Sequence, residues 1–203
     1  MHPHRVNVKY IVGLSTIVSV IVAYLLVHVW NQNFFSLAVK VGIISQIPTA
    51  LWALYERHIW RLSFINIKLN PLYLTNLNGR WEGSVQRTNE LDGRPFVMEI
   101  RQTYTRIKYK TYSNSSSGES LNIAIMRGSD AEDIKLYCYW ETSTQGLEDK
   151  TLRDAFKGFS VMDLKVEGGK MYLDDSYFTE RNPPTRGRLR VQWVSKERKG
   201  RFI

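Results

Sequence analysis

Gly79-Arg80-Trp81-Glu82-Gly83-Ser84-Val85-Gln86-Arg87 is the stretch whose reading decides the fold. Trp81, Gly83 and Val85 alternate with Glu82, Ser84 and Gln86. Successive side chains of a strand point to opposite faces, so this rhythm predicts a strand with one buried and one wet face. The rhythm then repeats. In 96–104, Met98 and Ile100 alternate with Glu99 and Arg101; in 106–112, Ile107, Tyr109 and Thr111 alternate with Lys108, Lys110 and Tyr112. Segments 120–127, 134–141, 156–166 and 170–178 follow, and 186–195 closes the series with Leu189, Val191 and Trp193 against Arg188, Arg190 and Gln192. Turn-rich links separate these runs, and no long crossover helix is visible, which disfavours a parallel sheet. The expected fold is a small up-and-down antiparallel β-barrel of about eight strands, which removes unpaired edges by closing on itself. A two-sheet sandwich is the alternative.

If the strands alternate in direction, their links fall at two ends. One end takes 102–105, 128–133 and 167–169; the other takes 88–95, 113–119, 142–153 and 181–185. The longer loops gather at the second end, and long loops on a rigid scaffold are where binding usually resides. That end collects Arg87, Arg94, Arg181, Arg186 and Arg188, with Tyr112, Trp140 and Phe156 at strand ends. Arginine offers paired donors to phosphate oxygens, and aromatic faces stack nucleobases. The expected ligand-binding set is Arg87, Tyr112, Trp140, Arg181, Arg186 and Arg188, suited to a small, doubly phosphorylated, base-bearing ligand. The competing reading is a rim of solvated arginines above ordinary core aromatics.

Little catalytic chemistry is available. His2, His4, His28 and His58 all precede the strand region, and Cys138 is the single cysteine. No metal site and no cofactor is expected, and the region reads as a binder rather than an enzyme. Asp174-Asp175 lie on opposite faces of one strand and read as two solvated side chains.

Upstream the composition changes. Ile11–Trp30 carries no Lys, Arg, Asp or Glu, and a second apolar run, 34–54, follows Asn31-Gln32-Asn33. About 20 apolar residues span a bilayer core as a helix, so 1–62 is expected to form a two-helix transmembrane hairpin. The chain has 203 residues and a formal charge of +9, and of its 19 acidic residues only Glu56 precedes Gly79. Arg5, Lys9, Arg57 and Arg61 flank the apolar runs, which places both termini in the cytoplasm. Residues 63–78 are a connector, and 79–203 are the cytoplasmic barrel. Ser15, Ser19 and Ala23 in the first span, and Ala38, Gly42 and Gln46 in the second, recur every four residues. Such stripes let helices approach closely, within one chain or between copies, so these residues are the expected oligomerisation surface. Lys40 is expected to snorkel to the interface, and Pro48 to kink the second helix.

Gly79-Arg80-Trp81 at the head of an antiparallel barrel is similar to the lipocalin-type Gly-x-Trp signature. There the tryptophan plugs the closed end beneath a basic residue of the last strand, here Arg188 or Arg190. The whole layout of membrane hairpin, short connector and small His-free barrel resembles the two-transmembrane β-barrel effectors of bacterial cyclic-oligonucleotide anti-phage signalling (CBASS). The resemblance implies a barrel that senses a cyclic dinucleotide second messenger at the bacterial inner membrane. Ligand would then drive self-association of the helices, membrane disruption and growth arrest. DNA and RNA are not expected partners; membrane lipid is. Two rival classes remain: a membrane-tethered carrier of an apolar ligand, and a scaffold whose barrel binds a protein partner.

Overall fold

The computed structural model describes residues 13, 16–22, 24–25, 46, 49–61, 75–88, 90–114, 116–127, 134–144 and 155–200. The chain divides into two compact units: Asn76–Gln102 with Arg106–Ile203, and Arg5–Thr75 with Thr103–Thr105.

The first unit is a closed barrel of strands β1 (Gly79–Arg87), β2 (Arg94–Gln102), β3 (Ile107–Tyr112), β4 (Ser116–Arg127), β5 (Ile134–Thr144), β6 (Phe156–Glu167), β7 (Lys170–Thr179) and β8 (Arg186–Ser195). Each strand pairs antiparallel with the next, and β1 pairs with β8 from Arg80↔Ser195 to Arg87↔Gly187, so the sheet has no free edge. This geometry removes the two-sheet sandwich. β4 and β5 run further than the alternation indicated. Ser116, Ser117 and Gly118 have turn-like composition, yet they pair with Thr144, Ser143 and Thr142. Here the neighbouring ladder overrides local propensity.

One end of the barrel is sealed by large apolar groups. Trp81, Leu77, Ile100 and Leu173 are at most 1% exposed. Their burial is reinforced by hydrogen bonds that satisfy the polar atoms going in with them. Trp81 Nε1 donates to the Leu77 carbonyl at 3.0 Å, Trp193 Nε1 donates to the Asn78 carbonyl at 3.1 Å, and Leu77 N donates to Gln102 Oε1 at 2.8 Å. Gly79 adopts φ 130°, and a Cβ there would collide with the Ser195 carbonyl oxygen, so only glycine fits the strand entry. The tryptophan plug is therefore present, but its partner is not Arg188 or Arg190. Both occupy outward positions of β8, and Arg190 lies over the Tyr172 ring at 4.8 Å and pairs with Glu167 and Asp174.

Outside this end, Arg80 and Glu99 form a buried pair at 3.1 Å. Glu99 Oε1 also accepts from the Lys199 and Gly200 amides, and Arg80 Nη1 donates to the Gly200 carbonyl. With its polar atoms matched this way, the buried pair fastens the C-terminal segment to β1 and β2.

In the second unit, residues 16–22 and 49–57 are helical, followed by a single 3-10 turn, Ile59–Arg61. Trp52, Tyr55 and Trp60 pack around the Tyr104 ring at 5.1–6.3 Å. Glu56 accepts from Thr103 Oγ1, from the Tyr104 amide and from Thr105 Oγ1. Among the described residues, no helix is long and apolar enough to cross a membrane. Most of the expected hairpin, including Ser15, Ala23, Ala38, Lys40, Gly42 and Pro48, lies outside the described residues; Ser19 and Gln46 are helical.

Candidate functional site

The end of the barrel opposite the Trp81 plug is hollow. The inward-facing side chains change character along β1, β6 and β7. On β7 they run Leu173, Asp175, Tyr177, Thr179; on β6 they run Leu164, Met162, Ser160, Gly158; on β1 they run Trp81, Gly83, Val85, Arg87. Bulk gives way to small, polar and charged groups, and a cavity of about 210 Å³ results. Its wall is apolar at Val85, Phe96, Met98 and Leu189, and its mouth carries Arg87, Glu90, Arg94 and Arg181.

Among the described residues the mouth is electropositive. Glu90 bridges two of the arginines, at 3.6 Å to Arg87 and 2.6 Å to Arg94. The Arg181 guanidinium lies 3.5 Å over the Phe156 ring. Phe156 in turn meets Trp140 edge-on at 5.9 Å, and Trp140 meets Tyr177 at 6.3 Å. Trp140 reaches this position because β6 carries Gly158 opposite it, where a Cβ would strike the indole. Its ring is then fixed by the bond from Nε1 to Ser160 Oγ at 2.9 Å. The aromatic wall is thus held rigid by packing and a hydrogen bond before any ligand arrives.

The floor holds a carboxyl group. Asp175 is 6% exposed, lines the cavity, and is surrounded by Tyr109 on β3, Cys138 on β5 and Ser160 on β6. Burial pushes its carboxyl up to about 7, against hydrogen bonds from Ser160 and the Val161 backbone that favour the ionised form; nearby Asp163 raises it further. Its Oδ1 has no hydrogen-bond partner among the described residues. Burial also raises the Tyr109 hydroxyl and the Cys138 thiol well above their ordinary values, so both remain neutral near pH 7. Asp174 and Asp175 do face opposite ways, but they are not two solvated acids. Asp174 is outside, paired with Lys165 at 2.6 Å and Arg190 at 3.5 Å, whereas Asp175 shares the inward face with Leu173 and Tyr177.

Of the six residues read as ligand-binding, the fold brings Arg87, Trp140 and Arg181 together at the cavity. Tyr112, Arg186 and Arg188 it does not. Tyr112 lines a separate outer hollow of about 380 Å³ with Lys110, Glu119 and Glu141, and Arg186 and Arg188 are exposed on the outer face of β8. The reason is parity: each is an odd number of positions from an inward neighbour, Thr111 or Leu189, so its side chain points to the other face. Ser160 and Tyr177 are among the lining residues that the sequence reading did not single out, and Asp175 is one it read as solvated. Their even spacing from Leu173 and Met162, two for Asp175 and Ser160 and four for Tyr177, is the signal that marks them as inward. The link 145–154 lies outside the described residues.

Residues 72–193 match the family model of the Cap15 cyclic dinucleotide receptor domain. The chain belongs to this family. The matched segment spans β1 to all but the last two residues of β8, so the Cap15 domain here is the closed barrel with its cup. No curated protein matches the chain.

Proposed function

We propose that the chain is a CBASS effector whose cup binds a cyclic dinucleotide and whose occupancy gathers the N-terminal helices of several copies, disrupting the inner membrane. The carrying observation is the cup itself. Arg87, Arg94 and Arg181 stand at its mouth, where phosphates can take charge-assisted hydrogen bonds, and the Trp140–Phe156 wall stands below them, where a base can stack. Bound phosphate would compete with Glu90 for the two arginines it now bridges. The apolar stretches at 11–30 and 34–54, with Ile17, Val20, Ile21 and Leu25 exposed, support a membrane role for the N-terminal segment.

A ligand shifts such an equilibrium only by binding the gathered state more tightly than the separate one. The test is titration of the full-length chain in detergent with a panel of cyclic dinucleotides, together with dye release from vesicles carrying it. Saturable binding and ligand-dependent release are expected. No heat with any member of the panel would overturn the sensor reading, and binding without release would overturn the membrane step. Gly42→Leu should keep the affinity and reduce release, because the bulkier side chain separates the small-residue stripes.

A further inference from the structure

The cavity is smaller than the roughly 300–1,000 Å³ of pockets that enclose a drug-sized ligand. At about 210 Å³ it has room for one nucleobase, not for both bases and the phosphodiester ring. Resting on the cyclic dinucleotide reading, the ligand therefore enters base-first, with its phosphates left at the arginine mouth. A base that descends between Trp140 and the apolar wall meets Asp175 on the floor.

Enzymes and receptors that take up a single base read its Watson–Crick edge with hydrogen bonds at the bottom of the pocket. The floor here offers an acceptor. Asp175 lines the cavity, is more than nine-tenths buried, and has an Oδ1 without a hydrogen-bond partner among the described residues. Hydrogen bonds from the Ser160 hydroxyl and the Val161 backbone favour its ionised form. Ser160 Oγ is itself fixed by the indole N–H of Trp140. The stacking wall and the floor acceptor are therefore one hydrogen-bonded assembly. We propose that Asp175 is the base-reading residue of the cup and selects a guanine, whose N1–H and N2–H donors lie side by side on the Watson–Crick edge. Adenine presents its N6 donor next to the N1 acceptor, which a carboxylate repels. A buried acceptor left without a donor penalises the wrong base, and sites of this kind discriminate strongly.

A second consequence concerns pH. Donors from guanine bind the ionised carboxylate, so affinity should rise with pH as Asp175 ionises near pH 7 and level off above it. The groups facing Asp175 do not confuse this window. Tyr109, Cys138 and Tyr177 all titrate above their ordinary values, Ser160 does not ionise, and no histidine lies beyond His58. Asp163 acts on Asp175 through its charge.

The experiment is calorimetric titration of the full-length chain with cyclic di-guanylate and cyclic di-adenylate, in the native protein and in Asp175→Asn. The native protein should prefer the guanylate. Asp175→Asn should weaken guanylate binding on the order of 10–100-fold and change adenylate binding by less than about threefold. The native affinity for guanylate should rise on the order of thirtyfold between about pH 5.5 and pH 8, and this rise needs no variant to be seen. Equal losses for both ligands, no loss for either, or a native preference for adenylate would overturn the assignment while leaving the sensor reading intact. Failure of the native protein to bind the guanylate while another cyclic dinucleotide of the panel binds would overturn the assignment alone, and no binding with any member of the panel would overturn both.

Discussion

The two ends of the barrel share eight strands, one register and one alternation, yet one end is a solid core and the other a cup. At the plugged end the inward positions hold Trp81, Ile100, Leu136 and Leu173, all at most 1% exposed. One to three inward positions further along the same strands lie Arg87, Phe96, Trp140 and Asp175 around open space. The difference teaches that a barrel's function is written in the gradient of its inward residues. The strand pattern itself is the same throughout.

The comparison breaks most readily at the plug. Trp81→Ala removes a fully buried indole and its bond to Leu77, and it should cost about 3–5 kcal/mol of stability in denaturant unfolding. Were stability to change little while ligand binding vanished, the division into core and cup would be mistaken.

Next is the floor. The Asp175 carboxyl is higher in the folded state than in the unfolded chain, so between about pH 4 and pH 7 the folded state holds more protons. Stability from this group is complete below the unfolded value and is lost as pH rises through about 7. Asp175→Asn should therefore unfold at higher denaturant than the native protein at pH 8, by on the order of 1–3 kcal/mol, and the two curves should converge toward pH 4. Parallel curves at all pH values would show that Asp175 is not buried as described.

Third is the mouth. Arg87→Ala or Arg181→Ala should each weaken cyclic dinucleotide binding by roughly tenfold, with a smaller loss at high salt where the phosphate attraction is already screened. Glu90→Gln should tighten it a few-fold by freeing the arginines it bridges, as read by the same titration. The smallest effect is expected at Arg186→Ala and Arg188→Ala, which sit outside the cup: less than about 0.5 kcal/mol in binding or stability. A tenfold loss there would move the ligand to the outer face of β8.

Much of this layout was legible in the residues. Alternation about Trp81, Met98, Tyr109 and Leu189 marks the strands, and their link lengths sort the loops to two ends. The same alternation assigns Arg188 and Tyr112 outward, as neighbours of Leu189 and Thr111; nearness to the mouth along the chain was a weaker guide than parity. Asp175 escaped because an Asp-Asp pair reads as solvated, and its inward partner Leu173 two residues before was the countervailing signal. The Ser116–Gly118 extension of β4 was hidden because it depends on the neighbouring ladder of β5.

By itself, then, the sequence determined the strands, their faces, the basic mouth and the apolar N-terminal runs, because a period of two and a run of apolar residues are local properties of the chain. Only the tertiary structure decided how deep the cup is, that Gly158 admits the Trp140 ring, and that Asp175 carries an oxygen with no hydrogen-bond partner among the described residues. Those depend on side chains from distant strands meeting across the closed barrel, and no local pattern encodes the space they leave between them.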